Sequence, residues 1–313
     1  MSAAEADGPI HVRSLEKSYG STVVIDKIDF EVRSGEVFAL LGPNGAGKTT
    51  TVEILEGVRR RTGGDVRVLG RDPAEDDPSW RARIGVVPQT TGAYLDLTVR
   101  EVVEHFAAFY PAPLPPDEVI DMVGLTPQRR RQAQQLSGGQ LRRLDVAVGV
   151  VGDPDLVFLD EPTTGLDPVA RREAWDLVRN FTDRGKTTVL TTHYLDEVEA
   201  LAQRAAIIVA GRIVEAGPIS ELGGRKTDRS VIGFAATGPL DGLPLPPLPP
   251  DSRAHLEAGQ VTVHTHRPTE TLAALLPWAH AAGVRELDGL RIHRPTLEEV
   301  YLQLIKDRGE GAR

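Results

Sequence analysis

The sequence predicts an α/β fold built around a phosphate-binding loop, followed by a small α+β unit. Three observations carry this prediction. A short apolar run, Glu36-Val37-Phe38-Ala39-Leu40-Leu41, leads into Gly42-Pro43-Asn44-Gly45-Ala46-Gly47-Lys48-Thr49, which fits G-x-x-x-x-G-K-[ST]. Thr49 to Leu55 reads as the helix that follows. Further on, Leu156-Val157-Phe158-Leu159 is continuously apolar, as a strand buried on both faces of a parallel sheet should be, and it ends in Asp160-Glu161. Past Leu222 the composition shifts, and Gly238 to Asp251 carries six prolines at 239, 244, 246, 247, 249 and 250. The expected domains are therefore residues 8–222 and 223–313.

Composition narrows the function classes. A chain of 313 residues, 40% hydrophobic and 26% charged, has ample material for one large and one small soluble domain. A formal net charge of −9 argues against general nucleic-acid binding, which calls for a basic excess. The absence of cysteine removes disulfides, thiol catalysis and cysteine zinc sites. Met1 to Pro9 is small and acidic, without the pattern of a secretory signal. The longest apolar run, Val146 to Val151, is hemmed by Asp145, Asp153 and Asp155 and falls far short of the ~20 residues that span a bilayer. The expected location is cytoplasmic.

Taken in order, Ile10-His11-Val12, Val23-Val24-Ile25 and Phe30-Glu31-Val32 read as three short strands. Lys17-Ser18-Tyr19-Gly20 reads as a turn whose aromatic either packs locally or stacks on a base. The phosphate loop follows. Its glycines let the backbone fold around an anion, and its amide N–H groups with the positive end of the next helix favour phosphate. Lys48 would reach the β- and γ-phosphates, and the Thr49 hydroxyl, with Thr50 beside it, lies where Mg²⁺ is held. Arg59-Arg60-Arg61 reads as a solvated charged face. Val66 to Leu69 and Ile84 to Val87 are strands, the second leading to Pro88-Gln89.

From Val99 to Val150 the periodicity is helical, broken by prolines between 111 and 116. Leu136-Ser137-Gly138-Gly139-Gln140 opens an amphipathic helix. Ser137 and Gln140 form a capping box, but two glycines in a first turn cost up to ~1 kcal/mol each against alanine. They make sense where a phosphate or a foreign backbone approaches the helix closely. Asp160-Glu161 then stands at a strand end, where ligands bind in open α/β sheets; one carboxylate suits Mg²⁺ and the other a proton from water. Gly165-Leu166-Asp167-Pro168 turns into a helix from Val169 to Phe181 with Trp175 and Val178 in the core. Thr187 to Thr192 is the next strand, with His193 at its C-terminal end. Beyond it, Ala205 to Val209 and Ile213-Val214 close the larger domain. In the second domain, Val231 to Ala235 and Val261 to Thr265 alternate like strands, and Thr269 to Ala282 and Thr296 to Ile305 are helical. His264 and His266 share a strand face without further metal-ligand partners.

Together these pieces resemble the nucleotide-binding subunits of ATP-binding cassette (ABC) transporters, over roughly residues 8–222. The resemblance rests on GPNGAGKT, Gln89 after a strand, LSGGQ at 136–140, LVFLDEP at 156–162, GLD at 165–167 and His193. It implies a P-loop NTPase cassette with an antiparallel β subdomain and a helical subdomain. It also implies ATP and Mg²⁺ as ligands, Tyr19 as the adenine-stacking aromatic, Gln89 as a Mg²⁺ and water sensor, and His193 as a γ-phosphate contact. Asp160 would orient Mg²⁺, and Glu161 would polarise the attacking water. In such proteins two copies pair head to tail, so that Ser137, Gly138, Gly139 and Gln140 of one face the phosphate loop of the other, with Asp167 across the same interface. The expected partners are a second copy and separate transmembrane permease subunits, with the chain peripheral on the inner membrane face. The tail Arg294-Pro295-Thr296-Leu297-Glu298-Glu299-Val300-Tyr301-Leu302 is similar to the daunorubicin-resistance type of bacterial drug exporter.

The competing readings are a translation or chromosome-repair cassette, or a self-resistance ATPase acting without a channel. Each motif occurs once, whereas such translation factors carry two cassettes in one chain. The interval from Gln89 to Leu136 has no room for a long coiled-coil insertion.

Overall fold

The computed structural model describes residues 8–75, 77–88, 94–222, 230–257, 259–293, 296–299 and 301–302. Gln89, Arg294, Pro295 and Val300 lie outside the described residues. The chain divides into two units, residues 1–219 and 220–313, so the division falls three residues before the expected 222/223.

The larger unit opens with β1 (Ile10–Tyr19) and β2 (Thr22–Val32), a hairpin closed by Gly20 and Ser21. The segment expected as a turn, Lys17 to Tyr19, is the end of β1, and two expected strands are one long β2. Three register shifts along β1 hide the plain alternation that a sequence reading looks for. With β4 (Gly63–Val68) they form an antiparallel sheet of order β2-β1-β4.

A second, six-stranded sheet carries the site. It comprises β3 (Val37–Leu41), β5 (Ile84–Val87), β6 (Leu156–Asp160), β7 (Thr187–Thr192), β8 (Arg204–Val209) and β9 (Arg212–Pro218), in the order β5-β6-β7-β3-β8-β9. All but β9 run parallel. The unbroken apolar runs follow from burial on both faces. In β6, Leu156 and Phe158 join one core cluster while Val157 and Leu159 join another. In β3, Phe38 and Leu40 face the first cluster and Val37 the second. Each such side chain contributes about 1.5–3 kcal/mol on burial.

Helices α1 (Lys48–Leu55), α2 (Pro78–Arg81), α3 (Val99–Ala107), α4 (Pro116–Met122), α5 (Gly138–Val150), α6 (Pro168–Asp183) and α7 (Leu195–Leu201) complete this unit. Thr98 and Glu101 cap α3 with a reciprocal box, and Pro116 starts α4 after the proline break. The expectation of an amphipathic α5 is corrected. It buries Arg142, Leu144, Asp145, Val146, Ala147, Gly149 and Val150, which spread around its circumference.

The smaller unit is a sheet of order β11-β12-β10-β13, made of β10 (Ser230–Ala235), β11 (Arg253–Glu257), β12 (Gln260–Thr265) and β13 (Arg291–His293). Its core gathers Ile232, Phe234, Val261 and Val263 from the sheet with Leu275 and Ala279 of α8 (Pro268–Ala281). The proline-rich stretch leans on that core through Leu240, Leu245 and Leu248, and Trp278 Nε1 donates to the Pro244 carbonyl at 3.0 Å. Strands β11 and β13 escape a sequence reading because β11 is exposed along its whole length and β13 is three residues long.

Candidate functional site

Strands β6, β7 and β3 lie side by side, with Asp160 opposite Thr191 and Leu41 opposite Thr192. Residues that follow their C-terminal ends therefore converge. After β3, a Cβ on Gly42 would stand 2.2 Å from the Ile208 carbonyl, so only glycine passes β8 this closely. Gly47 has φ 104°, a left-handed turn that starts α1 with no side chain capping it. The first amides of α1 are thereby available to an anion.

Lys48 is 6% exposed, and its Nζ donates to the carbonyls of Gly42 (2.9 Å) and Pro43 (3.2 Å). Burial lowers its pKa, and the carboxylates of Glu161 and Asp160 pull it back up. A cleft of about 330 Å³ opens here, lined by Val24, Asn44, Gly45, Gly47, Lys48, Thr49, Thr50 and Glu161. Thr49 is exposed and Thr50 half-buried.

Asp160 and Glu161 are held differently. The Thr191 hydroxyl donates to Asp160 Oδ1. Glu161 has φ 46°, a left-handed conformation that costs a non-glycine residue on the order of 1 kcal/mol and persists only where surroundings enforce it. Its N–H donates to the Thr191 carbonyl at 3.1 Å and lies 3.2 Å from Thr191 Oγ1. Its Oε2 accepts from the Thr164 hydroxyl at 3.1 Å, and its Oε1 lies 3.3 Å from His193 Nδ1. The His193 ring packs at a tilt against Tyr194, ring centres 4.0 Å apart, and Arg171 lies over the Tyr194 ring at 4.6 Å. Lys48, the Asp160-Glu161 pair and His193, expected from three separate motifs, are thus brought together: Lys48 and Glu161 line the cleft, Asp160 precedes Glu161 at the end of β6, and His193 lies against Glu161.

The LSGGQ segment forms the start of α5. Ser137 caps it: its N–H donates to Gln140 Oε1 at 3.1 Å, and its Oγ accepts from the Gln140 N–H at 3.3 Å. The two glycines have different reasons. A Cβ on Gly139 would lie 2.9 Å from Ala170 Cβ, so contact with α6 by itself calls for glycine here, a reason the sequence does not show. A Cβ on Gly138 would meet nothing within 4 Å. Asp167 caps α6, accepting from the N–H groups of Val169 (2.9 Å) and Ala170 (3.0 Å). Tyr19 is 43% exposed, with Lys17 Nζ 4.7 Å and the Arg59 guanidinium 5.4 Å from its ring centre, and Arg59 donates to its hydroxyl. The arginine run at 59–61 is only partly a solvated face: Arg60 is exposed, but Arg59 pairs with Glu53 and Arg61 makes a two-pronged pair with Asp72 at 2.7 Å on each arm.

Sequence reasoning missed four groups. Thr191 and Thr164 fix the carboxylates and looked like strand and turn residues. Arg142 is buried on α5 against backbone carbonyls near the site. At the end of α1, burial, with Asp160 and Glu53 behind it, pushes the Glu56 carboxyl up to about 7. The signal for both was weak: Arg142 is one of several charged residues on α5, and Glu56 is a single carboxylate just past the apolar end of α1.

A buried lysine in a glycine loop beside a carboxylate pair, at the C-terminal edge of a parallel sheet, defines a nucleoside-triphosphate-binding protein of the phosphate-loop class. The comparisons narrow this. Residues 25–164 match the ABC transporter family model, and residues 230–296 match the C-terminal domain of ABC transporter domain-containing protein-like chains. Daunorubicin resistance ATP-binding protein DrrA3 of Streptomyces coeruleorubidus is 36% identical, covering 96% of this chain and 97% of its own. Nod factor export ATP-binding protein I of Cupriavidus pinatubonensis is 36% identical over 94% of this chain and 90% of its own. A solved ATP-binding subunit of an ABC transporter superposes with a TM-score of 0.62 at 26% identity, over 69% of this chain and 92% of that one. The chain belongs to the ATP-binding subunits of ABC transporters and is an ATPase. Among the described residues, no helix is long and apolar enough to cross a membrane.

Proposed function

We propose that this chain energises export of a drug or other small hydrophobic compound through separate transmembrane permease subunits. In this reading it sits on the inner face of the membrane, and two copies close head to tail over ATP. The observation that carries the shared site is the openness of Gly138. Among the described residues beyond its own helix turn, nothing lies within 4 Å of the place a Cβ on Gly138 would take, and the cleft around Lys48 draws no wall from residues 137–140. A second copy's phosphate loop, with its bound γ-phosphate, is the occupant this reading supplies.

Lys48 exchanges its loop carbonyls for the β- and γ-phosphates, and the α1 amides and Thr50 surround the same group. Glu161 accepts a proton from the attacking water, which its bonds to Thr164 and His193 orient it to do. His193 donates to the transferring phosphoryl group, and Tyr19 takes the base. Thr49, Asp160 and by expectation Gln89 are all oxygen donors, the set a hard divalent cation prefers, and they would hold Mg²⁺. When bound, Mg²⁺ offsets the phosphate charge. Ser137, Gly138 and Gln140 serve the partner's γ-phosphate, while Gly139 and Asp167 keep α5 and α6 in register beside it. The export direction draws on the drug-resistance and Nod factor export names of the relatives.

The test is reconstitution. The chain, co-expressed with its candidate permease in inverted vesicles, should drive ATP-dependent uptake of a fluorescent anthracycline that the Lys48→Ala form does not drive. ATPase activity with no permease bound and no uptake would favour a self-resistance or other non-transport role instead.

A further inference from the structure

We propose that Arg142 is a positioning residue that clamps the backbone on both sides of Glu161 and ties it to the helix that begins at Ser137. The inference rests on Glu161 acting as the general base. Arg142 lies five residues into α5 and is 8% exposed. Its Nη2 donates to the Asp160 carbonyl, the peptide just before Glu161, at 2.9 Å. Its Nε donates to the Pro162 carbonyl, just after Glu161, at 2.9 Å. Its Nη1 donates to the carbonyl of Pro88, the residue that leads into Gln89. One planar guanidinium thus holds three carbonyls on two backbone segments, 160–162 and Pro88, that lie far apart in sequence.

The surroundings are built to hold that group in place. Asp145, one turn on along α5 and 4% exposed, lies 3.7 Å from Arg142 Nη1, and Asp145 in turn accepts from the Tyr94 hydroxyl. Desolvating a guanidinium is costly, and an apolar side chain of similar volume is often as good or better for stability alone. A buried arginine is therefore a poor choice for packing and a good one for holding carbonyls at fixed positions. The segment it holds contains the strained residue: Glu161, at φ 46°, keeps that conformation only while its neighbours are fixed. Because the guanidinium grows from α5, a shift of that helix reaches the base within one side chain.

The test is a double-mutant cycle on the full chain. Arg142→Lys keeps the charge but cannot span three carbonyls. We expect kcat to fall about tenfold or more with KM for ATP within about twofold, because the phosphate loop is untouched. In a Glu161→Gln background the same substitution should change the residual rate less than about twofold, since the group it positions is gone. Equal proportional losses in both backgrounds, or an unchanged kcat, would overturn the proposal. Should Arg142→Lys fail to bind nucleotide, Tyr94→Phe decides: it removes the hydroxyl that holds Asp145 against the guanidinium, so the clamp loosens and kcat should fall two- to fivefold at constant KM, and an unchanged kcat overturns the proposal. A Glu161→Gln form that hydrolyses at the parent rate removes the base assignment itself, and the Arg142 role with it.

Discussion

Exchanging Gly138 and Gly139 in turn for alanine separates a glycine required by the chain from one required by a partner. At Gly139 the new methyl would lie 2.9 Å from Ala170 Cβ, closer than carbon atoms tolerate, so α5 or α6 must shift. Overpacking of this kind costs about 1–3 kcal/mol. At about 2–4 °C per kcal/mol for a domain of this size, the melting temperature should fall by roughly 2–12 °C. At Gly138 the methyl meets nothing within 4 Å, and alanine suits a helix better than glycine. Stability should hold or rise by up to ~1 kcal/mol. Yet on the proposed head-to-tail pairing Gly138→Ala should lose most ATPase activity, because the methyl would stand where that pairing brings the partner's γ-phosphate. Thermal melts and steady-state phosphate release on both variants are the assays. A Gly138→Ala protein that melts no lower than the parent and hydrolyses at the parent rate would refute the shared-site account of this glycine.

Three further outcomes follow from the same geometry. Lys48→Ala should abolish most hydrolysis by removing the charge on the β- and γ-phosphates; a folded variant turning over normally would remove the loop's role. Ser137→Arg should leave single-chain nucleotide affinity intact while abolishing hydrolysis, and mixing it with Lys48→Ala should restore part of the rate, since a mixed dimer contains one site made of intact halves; no recovery at any ratio argues against head-to-tail pairing. The third concerns pH. Glu56 titrates at about 7 in the fold, above its ordinary 4.5, so the folded chain holds this proton more tightly than the unfolded chain. Its stabilising effect is full below about pH 4.5 and is lost as pH rises through 7. Glu56→Gln should therefore gain on the parent over that window, by about 1–3 kcal/mol at pH 8 once partial exposure is discounted. Melts without Mg²⁺ from pH 5 to 8 measure it, and a pH-independent difference would refute it.

Much of the larger domain was legible because burial on both faces of β3, β6 and β7 leaves unbroken apolar runs, and the phosphate loop follows one of them. The hairpin was less so. The register shifts in β1 disguised strand as turn, and Tyr19 moved from a loop to a strand end. The residues of the cleft were visible as types at strand ends, but what fixes them was not. That Thr191 serves both Asp160 and the Glu161 backbone depends on β6 lying beside β7, a neighbour relation absent from linear spacing. Arg142 was hidden for the same reason: all three of its carbonyl partners lie at least 18 residues away in sequence. In the smaller unit, the core strands β10 and β12 are apolar enough to be read, β12 alternating cleanly, while the exposed β11 is not.

The central claim is that Glu161 activates water at a site completed by a second copy, and Glu161→Gln tests it most directly. The amide keeps the shape of the side chain and its bond from Thr164 but cannot take the proton. Hydrolysis should fall by about two to four orders of magnitude, the usual worth of a positioned base, while ATP affinity is retained. With Mg²⁺ and ATP present, size-exclusion chromatography should show a dimer that persists because it cannot turn over. A variant that hydrolyses ATP at the parent rate, or that stays monomeric when saturated with ATP, would contradict the account.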